Sequence, residues 1–103
     1  MAKKVVWLHA AVDDLEEIAR FIESRGSAFA SIVVARILQT VEPLADFPHM
    51  GPVIREDDSG RHRHLICYSY RIIYRPKGDY VFVVGVIHGA RELPAAVVDR
   101  TAP

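Results

Sequence analysis

Two strand-like runs held across one tight turn constrain this chain more than any other feature of it. Residues 68–75 and 80–88 are rich in Tyr, Ile, Val and Phe, and Pro76-Lys77-Gly78-Asp79 separates them. β-branched and aromatic side chains fit a pleated, half-buried surface, while Pro and Gly force the chain to reverse. A hairpin of this kind fixes the spacing of whatever it carries. Here it carries Arg71, Arg75 and His88, and Arg91 follows shortly after. Cationic groups on an apolar sheet suit recognition of an anion or of a polar partner.

The remaining elements follow from periodicity. Residues 5–9 read as a first strand. Leu15, Ile18, Ala19 and Ile22 recur at helical spacing over about 11–25, with Asp13, Asp14, Glu16 and Glu17 in the early turns and Gly26 where a helix would stop. Ser27 is placed to cap a second helix, whose stripe is Phe29, Ile32, Val33, Ile37, Val41 and Leu44. Pro43 falls inside that stripe, so the helix either ends near Glu42 or kinks. Residues 53–60 read as a polar loop and 61–66 as a strand. Pro94 is suited to start one short helix in the tail. The expected fold is α+β: an N-terminal strand, an antiparallel helical hairpin and a three-stranded antiparallel meander. Trp7, Phe21, Phe29 and Phe47 are expected in its core, save for one or two that a partner groove would cover, and the acids of the first helix on a solvated face.

At 103 residues the chain is expected to form one domain, spanning 1–103, without metal or disulfide staples. Its one cysteine, Cys67, cannot form an internal disulfide; it reads as a buried thiol and suits a reducing cytoplasm. The apolar run after Lys3-Lys4 is too short for a signal core or a membrane span. Thirteen acids balance thirteen Lys and Arg, which argues against nucleic-acid binding by this chain alone. Five basic and seven acidic residues precede Gly51, and eight and six follow it, so any basic face lies on the second half.

Several side chains are candidates for chemistry. Arg71 and Arg75 fall on the sheet face opposite Tyr70, Ile72 and Tyr74. Arg71 either offers a bidentate fork to an anion or pairs with a nearby acid such as Glu56. His88 either exchanges protons or fixes the turn at Gly89, and Arg91 either stabilises phosphoryl charge or pairs with Glu92 or the first helix. His62 and His64 alternate with Arg61 and Arg63. As a His-x-His pair they lack a convincing further ligand set, so no metal is expected and a solvated edge strand is the default reading.

Tyr70-Arg71-Ile72-Ile73-Tyr74-Arg75, the valine-rich strand and His88-Gly89-Ala90-Arg91-Glu92 together resemble the end of a RelE/ParE-type toxin. Ala11-Val12-Asp13-Asp14-Leu15-Glu16-Glu17-Ile18 resembles the family's first helix, and Phe47-Pro48-His49-Met50-Gly51 its helix-to-sheet connection. The resemblance implies the toxin half of a bacterial toxin–antitoxin pair, with no cofactor and with an antitoxin as partner. In RelE-like members it implies ribosome-dependent mRNA cleavage. The residues matching that machinery are Arg71 and Arg91, with His62 and His64 at the lysine positions and His88 nearby. The tail tyrosine position falls near Val97, and no tyrosine follows Tyr80. The His-Gly-x-Arg ending and the Asp-Leu-x-x-Ile helix resemble ParE-like members instead, which implies a DNA gyrase poison rather than a hydrolase. A third possibility is a non-toxic scaffold that only binds antitoxin. Target contacts would then come from Arg61, Arg63, Arg71, Arg75 and Arg91. Antitoxin contacts would come from Leu15, Ile18, Ile22, Arg71 and Arg91.

Overall fold

The computed structural model describes residues 2–89 and 95–100, the side chains of Ala95 and Ala96 excepted. Arg91, Glu92 and Pro94 lie outside the described residues. Strand β1 (Lys4–Trp7) leads into helix α1 (His9–Ser24) and helix α2 (Ala30–Val41), which continues as a 3-10 turn over Glu42–Ala45. Strands β2 (Arg63–Cys67), β3 (Tyr70–Lys77) and β4 (Tyr80–His88) follow, and a short helix α3 (Ala95–Val98) lies in the tail. The sheet order is β1-β4-β3-β2. β1 runs parallel to β4, and β2, β3 and β4 form the antiparallel meander. This is the expected α+β arrangement.

Helix α1 starts at His9, two residues earlier than its acids suggest, so no carboxylate falls in its first turn. It stops as expected: Gly26 adopts φ 73°, a left-handed conformation that glycine takes without a Cβ clash. Ser27 Oγ accepts a bond from the Phe29 amide at 3.1 Å, but this closes a turn, and α2 begins only at Ala30. Pro43 cannot donate to the carbonyl of Gln39, so the α-helix ends at Val41 and tightens into the 3-10 turn. Val41 and Leu44 both remain buried across that change.

The sheet is buried on both faces. Ala11 and Leu15 of α1 and Val33, Ile37 and Val41 of α2 pack on Ile72, Tyr74, Val81, Val83 and Val86, with Cys67 at the edge. Ile54, Ile73, Val84 and Val97 form a second cluster. A bulge in β4 makes this division possible. Ile73 lies opposite Gly85 but Tyr74 opposite Val83, so Val84 is the extra residue. Strict alternation would send Val86 away from Val81 and Val83. The extra residue restores it to the helix side.

The bulge also leaves backbone groups of β4 for other partners. Asp14 Oδ2 accepts a hydrogen bond from the Val86 amide at 3.1 Å. Arg100 donates to the Val84 carbonyl at 2.9 Å and to Asp14 at 2.8 Å. Asp14 therefore leaves the expected solvated face and ties α1 to the tail, while Asp13, Glu16 and Glu17 stay exposed. The aromatic expectation also needs correction. Phe21, Phe29 and Phe47 are all exposed: Phe21 lies off the α1 stripe that meets the sheet, Phe29 precedes α2, and Phe47 lies in the connection beyond the 3-10 turn. Trp7 is half-buried against the main core.

Candidate functional site

Arg71 stands at the centre of the clearest polar constellation. It points away from the helices, on the β3 face opposite Ile72, and is about nine-tenths buried. Its Nη1 donates to Glu56 Oε2 at 2.7 Å and its Nη2 to Glu56 Oε1 at 3.2 Å, a forked pairing. Its Nε and Nη2 also lie 3.2 and 3.0 Å from His64 Nδ1, which therefore accepts. Burial and the Arg71 charge push the His64 pKa below its ordinary value, with Glu56 opposing in part. The hydrogen bond from Arg71 holds the Glu56 carboxyl below the usual glutamate range against a desolvation penalty. The result is a neutral imidazole, a guanidinium and a carboxylate locked to one another.

These groups line a pocket of about 700 Å³ with Pro52, Val53, Arg55, Ile66 and Gly89. Gly89 allows the close approach that forms one side: its amide bonds the Ser69 carbonyl at 2.6 Å, and a Cβ there would stand 3.1 Å from that same oxygen. The Arg55 guanidinium has no ion-pair or hydrogen-bond partner among the described residues.

The two histidines of the expected His-x-His pair do not act together. His62 precedes β2 and is buried, bonding Asp57 through Nδ1 at 2.6 Å. The solvated edge-strand reading fails there, because Asp57 draws the ring inward. Burial opposes the charge on Asp57, yet bonds from Ser59 and from the ring and amide of His62 outweigh it and hold that carboxyl far below the usual range. Asp57 was not singled out in the sequence. The signal was present: Asp57-Asp58-Ser59 has the spacing of an Asx turn. No group of three or more His, Cys, Asp or Glu suited to a metal occurs among the described residues.

The other candidates scatter. His88 lies edge-on to Tyr70 with ring centroids 5.7 Å apart, opposite in register to Tyr70 rather than to Arg71. Arg63 donates to the carbonyls of Gly51 and His49 at 2.7 and 3.2 Å, and so braces the helix-to-sheet connection. Arg61 is exposed, Arg75 is half-buried on β3, and Arg91 lies outside the described residues. Leu15 is 8% exposed and sits in the main core, so its side chain is used by the fold rather than offered to a partner. Ile18 and Ile22 are half-buried against that core. Ile18 also lines a second groove of about 510 Å³ with Phe21, Tyr70, His88, Val97 and Arg100.

A helical hairpin on one face of a four-stranded sheet, with an arginine-centred pocket on the other, defines the class of small α+β toxins to which the motifs pointed. The chain belongs to the ParE toxin family of type II toxin–antitoxin systems (parDE), whose family model matches residues 5–93. A Sinorhizobium fredii (strain NBRC 101917 / NGR234) protein named “Putative toxin Y4kP” is 35% identical over 92 residues, covering 89% of this chain and 94% of that one. Three solved structures share the fold. The chromosomal ParDE system of P. aeruginosa superposes with a TM-score of 0.70 at 21% identity, over 84% of this chain and 96% of that one. The RelBE2 toxin–antitoxin complex of Mycobacterium tuberculosis gives 0.62 at 18%, over 85% and 99%. A mutant of the E. coli toxin RelE in the free state gives 0.64 at 14%, over 95% and 92%. None of the helices among the described residues is long and apolar enough to cross a membrane.

Proposed function

We propose that this chain is a toxin that acts by binding a protein target, DNA gyrase, rather than by cutting RNA, and that a cognate antitoxin protein covers it. The observation that carries this reading is the state of Arg71. Both Nη atoms of its fork are taken by Glu56, and its Nε faces His64, so an RNA phosphate would first have to expel an internal carboxylate.

Acid–base chemistry is poorly supplied as well. Cleavage at a ribose 2′-hydroxyl needs a base, a group for the developing phosphorane charge and an acid for the leaving oxygen. His64 offers a neutral ring whose Nδ1 lone pair is already engaged. At the tail position where an acid–base tyrosine would be expected, Val97 is buried against the sheet, and no tyrosine follows Tyr80. A proteinaceous target and an antitoxin instead suit the exposed apolar side chains Phe21, Phe29, Ile32 and Leu38 on the helical hairpin.

Purified protein should inhibit gyrase supercoiling and accumulate cleaved DNA, while leaving transcripts intact in a translation extract. Transcript cleavage with supercoiling untouched would reverse the assignment.

A further inference from the structure

The pocket at Arg71 has the charge of an anion site, yet its arginine fork is occupied by the chain itself. Two arginines, Arg55 and Arg71, line it with a single carboxylate residue, Glu56. A guanidinium fork matches the oxygens of a carboxylate and of a phosphate in the same bidentate way. Glu56 takes that geometry from Arg71 and leaves Arg55 unpaired among the described residues.

The next residue explains why Glu56 stays there. The Asp57 side chain is 9% exposed, and its carboxylate accepts four bonds: from the Ser59 amide at 3.0 Å, the Ser59 hydroxyl at 2.6 Å, the His62 amide at 3.1 Å and the His62 ring at 2.6 Å. The loop over 56–62 is thus closed on itself and anchored beside β2. Adjacent acids divide the work: Asp57 holds the loop and Glu56 reaches Arg71 from it.

We propose that residues 56–62 form an intramolecular clasp, in which Glu56 occupies the Arg71 fork in place of a phosphate-class oxyanion and Asp57 with His62 holds it there. Because Glu56 is tethered, it competes at a local concentration on the order of millimolar or higher, which weakly bound external anions cannot match. The clasp concerns the same Arg71–Glu56 pair that carries the reading above and shares with it only the observation that the fork is occupied. It is a closed oxyanion site, so the protein has little affinity for polyanions until the loop opens.

The test compares wild type, Glu56→Gln, Asp57→Asn and Glu56→Gln/Arg71→Gln, each checked for folding by circular dichroism. Binding of pyrophosphate and of a 5′-phosphorylated RNA tetranucleotide is measured by calorimetry at low and physiological salt. Glu56→Gln should bind at least one of the two about ten-fold more tightly than wild type, and the gain should vanish in the double variant. A gain for both assigns free phosphate groups; a gain for the tetranucleotide alone assigns nucleic acid. Asp57→Asn should give a smaller gain. Folded Glu56→Gln with no gain for either ligand, or a gain that survives loss of Arg71, would overturn the proposal. No gyrase enters the measurement, so its failure is distinct from failure of the gyrase reading.

Discussion

Replacing Gly85 by alanine probes how the tail is held on the sheet. A Cβ there would stand 2.8 Å from Arg100 Nη1, 2.9 Å from Val97 Cγ1 and 3.1 Å from Asp14 Oδ2. All three are closer than ordinary contact, and two of the atoms belong to the tail. The tail can move away, whereas Gly85 is held opposite Ile73 in an interior strand of the sheet. Displacing it exposes Val97, which is 5% exposed in the fold; a fully buried valine is worth about 1.5–3 kcal/mol. It also breaks the Asp14–Arg100 pair, for which about 1 kcal/mol is reasonable at this partial exposure. Reduced freedom of the unfolded chain returns about 0.4–1 kcal/mol. The net loss should be about 1.5–3.5 kcal/mol by urea unfolding. The decisive measurement is a mutant cycle in a Val97→Ala/Arg100→Ala background, where the two tail groups are gone and only Asp14 Oδ2, the most distant of the three, remains. There Gly85→Ala should be nearly neutral. If it costs as much as in wild type, the tail is not what the new methyl meets and the reasoning fails.

Gly51→Ala should cost more, roughly 2–4 kcal/mol in chemical denaturation, because its Cβ would fall 2.2 Å from the His64 carbonyl oxygen, which is backbone and cannot swing aside. Tyr74→Phe should lower stability by about 1–3 kcal/mol in the same assay, since the Gly51 amide now donates to the Tyr74 hydroxyl at 3.0 Å and would lose its buried acceptor. His64 has its pKa depressed in the fold, so its stabilising contribution is present above the ordinary value near 6.5 and is lost as pH falls through the folded value. Wild type should therefore lose stability from pH 7 to pH 5 more steeply than His64→Gln; parallel curves would refute this. Asp57 is depressed further, so Asp57→Asn should flatten the loss of stability that begins below about pH 4.

The elements were legible where composition and punctuation agreed. Strand β4 has the expected bounds because Gly78 and Gly89 close a continuous apolar run. Its bulge was hidden by that same continuity, since a run of valines shows no phase to slip; Gly85 was the cue. Phe29 belongs to the apolar stripe of the second helix, but periodicity does not say how wide a face the sheet can cover, and the size of Phe21 alone does not say that it is covered. Asp14 was read as solvated because its partner, Arg100, is 86 residues away and no local pattern connects them.

The candidate site divides along the same line. Glu56 was named as one possible partner of Arg71, yet nothing local could decide between that pair and an open fork. The polarity of 56–60 suggested a solvated loop, but two of its acids are consumed, one by Arg71 and one by His62. This changes what the neutral charge of the chain means. Arg71 is paired with Glu56, Arg100 with Asp14, and Arg63 is spent on backbone carbonyls, so three of the second half's guanidinium groups are already occupied from within. Each such guanidinium can meet a partner only by exchanging an internal ligand for an external one. Recognition at Arg71 is then decided by which anion can displace Glu56. The prior partners of these arginines therefore set selectivity as much as the arginines themselves.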